Sequence, residues 1–533
     1  MKILKKHVGK LLFTFGIVLT LYLRFLLKDF ISGDYESFLV RWINYFRDNG
    51  GIYAIKDIES DYNVIYQYLL IIISYFRLND LYLVKLFSVI FDFLLAFGTM
   101  ALIRELGGCK KKQLVGFFLI LLLPTVILNS AMWAQCDSIY AAFIVWSLYF
   151  LIKEKPCISI IYITLAFAFK LQTIFVAPIF LVALLYKKIK LRHILVFPVV
   201  YFATIIPALI FGKPLKDIFM VYFTQAQQYP MMTMNSASIF GLLNIEDYSV
   251  VLEKISISVM IIFVLTIIFL ICRKKISWTP NFVFSSAFVF SLIIPFLLPH
   301  MHDRYFYIAE ILSVIYVVHY GKKRIYIPIM LQLAGLIVYA IFFGFIEKNN
   351  LSDLYIFITA QNAGIIVFIG LILLLINYLY DYFKKNPDVP RFKTLIISAV
   401  LSLAVSISGI AYLSWEIPEV RVDNRKIHFI VRPFKDNNTL MLPVKNFFLL
   451  YGAEISYDAK LNAIAIKDEN REIRLRANSN EALVDNESVI LSKPCVLKNY
   501  LLFISAEDIT KLLGLNLEYE NGKKLEFTKK QKK

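Results

Sequence analysis

The chain has 533 residues, of which 59% are hydrophobic and only 18% charged, whereas soluble globular proteins carry roughly 45–50% apolar and about 25% charged residues. That balance excludes a soluble enzyme, and apolar runs such as 255–272 (ISISVMIIFVLTIIFLIC), with 16% aromatic residues, exclude a disordered or fibrous chain; roughly 18 consecutive apolar residues mark a membrane span. The net charge of +18 is spread over short basic clusters between apolar runs, the pattern of topology signals rather than of a nucleic-acid surface.

The N-terminus carries Lys2, Lys5, Lys6 and Lys10 before an apolar run that Arg24 interrupts, and no small-residue cleavage site follows, so it reads as a retained first span. Short cytoplasmic loops are rich in Lys and Arg. The clusters Lys2–Lys10, Arg104 with Lys110–Lys112, Lys153 with Lys155, Lys187–Arg192, Arg273–Lys275, Lys322–Arg324 and Lys384–Lys393 are therefore placed inside, each consecutive pair enclosing an even number of crossings. The predicted spans are 11–27, 82–103, 113–129, 137–152, 157–169, 173–186, 194–211, 250–272, 281–299, 305–319, 325–346, 354–380 and 394–413, about thirteen in all. Segments 157–169 and 173–186 are short and alternatively form a broken pair around Lys170. The run 64–76 is too short to cross and is placed as an interfacial or re-entrant helix inside a large outer loop, 28–81. The N-terminus then faces the cytoplasm, and 130–136, 212–249, 300–304 and everything after 415 face outward.

Ionisable groups in or beside spans mark function more often than surface charges do. Asp34, in GDYESFLVRW (33–42), reads either as a general base or as a helix N-cap. Asp61, in SDYNVIYQYLL (60–70), either helps to hold a substrate or caps the short helix that follows. Trp133, Gln135 and Asp137 crowd one span boundary in NSAMWAQCDSIY (129–140). Tryptophan there suits an interfacial belt, while an aromatic face beside an amide and a carboxylate suits a carbohydrate. Lys170, beside Gln172 in FKLQ (169–172), and Arg304, after His302 in HMHDRYFY (300–307), are cations that suit a lipid phosphate, with a snorkelling pair as the alternative. His300, His302 and Asp303 could ligate a metal, but two His at i and i+2 without the rest of a ligand set are a weak signal, and the five cysteines lack metal-ligand or disulfide spacing.

From residue 416 the apolar runs shrink to strand length and charges of both signs mix, so 1–415 reads as a membrane domain and 416–533 as a small α+β extracytoplasmic domain. The tail repeats itself: PVKNFFLLYGAEISY (443–457) aligns with SAEDITKLLGLNLEY (505–519) at an offset of 62, pairing Phe447 with Ile509 and Gly452 with Gly514. Each copy predicts a short helix stopped by glycine and followed by a strand. This tail resembles the copper amine oxidase-like N-terminal domain, an extracytoplasmic module of bacterial surface proteins. The name does not imply copper, since His428 and Cys495 are isolated, and a structural or wall-contacting role is expected.

Residues 1 to about 380 resemble the GT-C glycosyltransferases, in particular the bacterial branch similar to the GPI mannosyltransferase II family and related to protein O-mannosyltransferases. The resemblance rests on five motifs in order: GDYESF with Trp42, DYNVIYQYLL, WAQCDSIY, AFAFKLQTIFVAPIFL and MHDRYFY. Asn63 and Val64 stand where that family has two prolines, Ala134 where it has glycine, Asp303 where it has glutamate, and Ser238 where it has asparagine. The resemblance implies a multi-pass cell-membrane enzyme that moves mannose or a similar hexose from a polyprenyl-phosphate donor to an acceptor hydroxyl, with inversion and without a required metal. Asp34 would be the base, Asp61, Trp133, Gln135, Asp137 and Gln172 would line the substrate site, and Lys170, His302 and Arg304 would face the lipid phosphate. The acceptor is a protein, a lipid or a cell-wall polymer. A transporter or flippase of lipid-linked sugars is the alternative, because polar residues inside a bundle also line translocation routes.

Overall fold

A computed structural model of the protein describes residues 2–228, 231–345, 357–384 and, with short breaks, 419–529. The chain divides into a large helical unit and a smaller β-rich one that contains the tail.

In the helical unit six helices are long and apolar enough to cross a membrane: Gly9–Leu26 (within Lys2–Leu26), Asp80–Glu105, Leu191–Ile210, Val250–Arg273, Pro280–Leu297 and Ala360–Tyr382. A seventh span results if the bent pair Lys110–Leu121 and Pro124–Met132 counts as one. Shorter apolar helices occupy Val64–Ser74, Asp137–Ile152, Pro156–Phe169, Leu171–Leu185, Tyr307–Tyr320 and Tyr326–Phe342. The expected count of about thirteen leans on those shorter helices, and its last member, 394–413, lies outside the described residues. Helix starts follow local chemistry: the side chains of Asn79, Thr279 and Thr359 each accept a bond from a first-turn amide, and Pro280 occupies the first helical position.

Burial sorts these helices. Pro280–Leu297 is packed on all sides, whereas Gly9–Leu26, Leu191–Ile210 and Val250–Arg273 keep most of their surface open. Their uncovered side chains are apolar, among them Leu11, Phe15, Ile206, Ile210, Ile262 and Phe269, as expected of helix faces turned to lipid tails.

Two breaks shape the interior. Pro124, which lacks an amide hydrogen, begins a new helix bent by 47° from Lys110–Leu121. The break leaves the Leu121 carbonyl without its helical donor, and Thr20 Oγ1 (3.1 Å) and Arg24 Nη1 (2.9 Å) supply two instead. Arg24 also pairs with the buried Asp92 at 2.8 Å, and Ser130 Oγ donates to the same Asp92 oxygen. The second break falls at Lys170, whose extended backbone separates Pro156–Phe169 from a 3-10 turn, Leu171–Val176.

In the smaller unit, three antiparallel or mixed sheets of five, four and four strands surround one apolar core that includes Phe447, Phe448, Ile466, Ile504, Ile509 and Phe527. Both repeats take the same course, with helices Val444–Leu450 and Ala506–Leu513 followed by strands Glu454–Asp458 and Leu515–Glu520. Gly452 and Gly514 sit at φ +94° and +67°, a left-handed turn after each helix that disfavours any side chain.

Candidate functional site

Helix Asp80–Glu105 is the scaffold of the site. Lys85, Ser88 and Asp92 lie on one buried face of it, roughly a turn apart. The Lys85 ammonium donates to the carbonyls of Leu27, Lys28 and Phe30 (2.8–2.9 Å), gripping the exit of the first helix. Ser88 Oγ donates to the Gln135 carbonyl at 2.7 Å, and Ser138 Oγ donates to the Ser88 carbonyl at 2.9 Å. The segments that carry Asp34 and residues 133–137 are thus fastened to the same helix.

Asp34 does not cap its helix. The cap is made by Ser32, whose hydroxyl accepts the Tyr35 amide at 3.2 Å and donates to the Trp133 carbonyl at 2.6 Å. Asp34 Oδ2 instead accepts from Trp133 Nε1 at 3.0 Å and Gln135 Nε2 at 2.5 Å, with Arg304 Nη1 at 3.6 Å. No donor among the described residues reaches Oδ1, and the side chain is 24% exposed. The carboxylate is held by one oxygen and open at the other.

Trp133 is not a belt residue either. It is fully buried, stacked on Phe342 (4.0 Å between centroids) and edge-on to Tyr339, with the Arg304 guanidinium over its ring at 5.2 Å. Ala134, at φ +63°, makes the tight turn between Trp133 and Gln135.

Asp137 is buried at the start of the next helix and pairs with Lys170 through Oδ1, while Oδ2 accepts from Asn129 Nδ2 at 2.8 Å. Lys170, with its ammonium buried against this carboxylate and 5.8 Å from the centre of the Tyr140 ring, does not snorkel. Arg304 joins three carboxylates: besides its contact with Asp34, its Nε lies 3.6 Å from Asp137 Oδ2 and its Nη1 3.5 Å from Asp303 Oδ1. These are ion-pair distances beyond hydrogen-bond length, and the buried Nε–H has no hydrogen-bond acceptor. The neighbouring anions hold the guanidinium well above its ordinary pKa. Burial pushes Asp303 up to about 7 and, with help from Arg304 and Lys170, pushes His302 down to about 3, so His302 is a neutral ring at physiological pH. A two-residue parallel pairing of Thr233–Met234 with Met301–His302 sets the loop that carries these groups.

The structure thus gathers Asp34, Trp133, Gln135, Asp137, Lys170 and Arg304 into one network, with His302 at its edge. Gln172 is buried beside Tyr305 rather than within the network. Asp61 lines a separate cleft, and the cap of helix Val64–Ser74 is Asn63, whose side chain accepts the Val64 amide. Asn129, Ser32 and Tyr62 were missed as members; Tyr62 Oη donates to Gln135 Oε1 at 3.3 Å. Asn129 and Tyr62 stand inside the motifs quoted above, and their proximity to Asp137 and Asp61 was the available signal.

Among the described residues no group of three or more His, Cys, Asp and Glu side chains is placed to hold a metal. The family model described as "Copper amine oxidase N-terminal domain" matches residues 421–526, so the tail carries such a domain. Its Cys495 is packed in the apolar core, with the thiol pushed up to about 12 by burial, and does not fit copper coordination. His428 lies outside the described residues. No curated protein matches the chain.

Proposed function

We propose that the protein is an integral-membrane glycosyltransferase of GT-C type, with about thirteen spans. It moves a hexose, mannose or a close relative, from a polyprenyl-phosphate sugar to an acceptor hydroxyl on the extracytoplasmic side. The observation that carries this reading is a half-open carboxylate beside an under-bonded guanidinium: Asp34 exposes one oxygen, and Arg304, 3.6 Å from the other, keeps a buried donor without an acceptor. A carboxylate with an open oxygen can serve the nucleophile and a cation with a spare donor can receive the anionic leaving group, the two roles that inverting displacement at an anomeric carbon assigns to opposite faces of the sugar.

In this reading Asp34 takes the proton of the acceptor hydroxyl as its oxygen bonds to the anomeric carbon. The bond from that carbon to the phosphate oxygen breaks, and the configuration inverts. The polyprenyl phosphate leaves with the bonding electrons and is stabilised by Arg304, whose donors are not committed to protein hydrogen bonds of normal length. Preorganised charge in a water-poor site is the largest common contribution to catalysis. Lys170, already matched by Asp137, fixes the position of that carboxylate and so of Arg304, while neutral His302 contributes at most a hydrogen bond. Nucleotide sugars are made inside the cell, so an outward-facing site calls for a lipid-borne donor.

The test is transfer from a radiolabelled polyprenyl-phosphate hexose in membranes carrying wild-type protein or Asp34→Asn at matched expression. The variant is expected to lose about 10²- to 10⁴-fold of the rate, the usual range for a general base. Equal rates would remove Asp34 as the base. Label that crosses the bilayer without transfer would instead identify a flippase of lipid-linked sugars.

A further inference from the structure

Next to the Asp34 network lies a cleft of about 720 Å³, bounded by helix Val40–Asp48, residues 58–64 and helix Leu215–Gln228. Its link to the network is Tyr62. The ring of that residue lines the cleft, and its hydroxyl donates to Gln135, the amide that holds Asp34. We propose that this cleft binds a neutral saccharide and that the acceptor of the transferase is therefore a glycan. The inference rests on the glycosyltransferase reading for the word acceptor, but not for the binding site itself.

Three observations carry it. First, the walls carry a cluster of aromatic side chains: Phe38, Trp42 and Tyr62 all line the cleft, with Trp42 edge-on to Tyr62 at 5.9 Å and 5.8 Å from Phe38. Flat apolar faces next to polar groups suit the CH-rich and OH-rich sides of a pyranose. Second, Gln67 is almost fully buried at the cleft wall. Its Nε2 donates to the Tyr62 carbonyl at 2.8 Å, but its Oε1 has no donor. A buried acceptor left unpaired costs about 1–3 kcal/mol, which a ligand hydroxyl would relieve. Third, the charge balance selects against polyanions. Glu59, Asp61 and Asp217 face Arg41 and Lys213, and the Lys213 ammonium is occupied by the carbonyls of Ile55 and Ile58 at 2.9 and 3.0 Å. A phosphate-rich polymer would meet net negative charge, whereas an uncharged glycan would not.

The experiment titrates the purified full-length protein in detergent with mannobiose and cellobiose as neutral probes, digalacturonate as the anionic one, and a Ser/Thr-rich peptide, reading binding by calorimetry. A neutral disaccharide should bind, with affinity reduced about tenfold by Gln67→Met, the expected effect of deleting one buried acceptor, and more by Trp42→Ala. Trp42→Phe, which keeps an aromatic face, should restore most of it and shows that the site still folds. Digalacturonate that binds as tightly as the neutral sugars, peptide that binds through Trp42 and Gln67 while disaccharides do not, or saccharide affinity indifferent to both positions would each overturn the proposal. Transfer from polyprenyl-phosphate hexose without saccharide binding removes the cleft and leaves the enzyme. Gln67-dependent saccharide binding without any transfer removes the enzyme and leaves the cleft.

Discussion

Asp303 decides how the charges around Arg304 add up. Burial raises its carboxyl from the ordinary 3.8 to about 7, with Asp34 adding to the effect and Arg304 opposing it. Because the folded value is the higher one, the folded chain keeps a proton that the unfolded chain loses above about pH 4. The group therefore favours folding at low pH, and its contribution fades as pH rises towards about 7. The same ionisation places another negative charge 3.5 Å from the proposed phosphate-binding cation. Affinity for a polyprenyl phosphate should accordingly fall between about pH 6 and pH 8, and Asp303→Asn should flatten the dependence. Binding measured at both pH values checks this, and an unchanged slope in the variant would detach Asp303 from the phosphate site. That Asp34 does not cap its helix was not legible in the sequence, because the groups that hold its side chain, Trp133 and Gln135, lie 99 and 101 positions away. Nothing periodic connects them.

At the scale of elements, helix Asp80–Glu105 acts as a template. Lys85 spends all three ammonium hydrogens on carbonyls at the end of the first helix, about five residues before Asp34. Lys85→Met would strand those carbonyls, each charge-assisted bond being worth about 1.5–3 kcal/mol and not additive with its neighbours. The expected outcome is a lower melting temperature in detergent and, at temperatures where the variant is still folded, a sugar-transfer rate that falls without a matching rise in donor KM. Full transfer by folded variant would show that the clamp does not position Asp34. Long apolar runs were legible as helices because lipid-facing surfaces need no partner. The breaks at Pro124 and Lys170 were harder to weigh, since a broken helix survives only where distant groups such as Thr20 and Arg24 satisfy the freed carbonyl.

For the whole molecule, the sequence marks out a helical body followed by a β-rich tail, and the tail's core is made of its own residues. Orientation can be read from native chemistry. Cys109 is exposed, and the amides of Lys112 and Lys111 lower its thiol pKa, which makes it a ready target for maleimides. If the positive-inside assignment holds, a membrane-impermeant maleimide should spare Cys109 in intact cells but label an Ala477→Cys variant, which places the thiol in an exposed turn of the tail. Labelling of Cys109 and not of residue 477 would invert the topology and with it the source of the sugar donor.

The buried pair of Arg24 and Asp92 also constrains how the chain is made. Asp92 sits midway along its helix, where a lone carboxylate hinders insertion by roughly 2.5–3.5 kcal/mol. Arg24 leaves the ribosome first and waits near the end of the first helix, so the second helix enters the bilayer with its counter-ion already present. Paired in this way the two helices can enter as a hairpin, with the loop that bears Asp34 and Asp61 anchored at both ends.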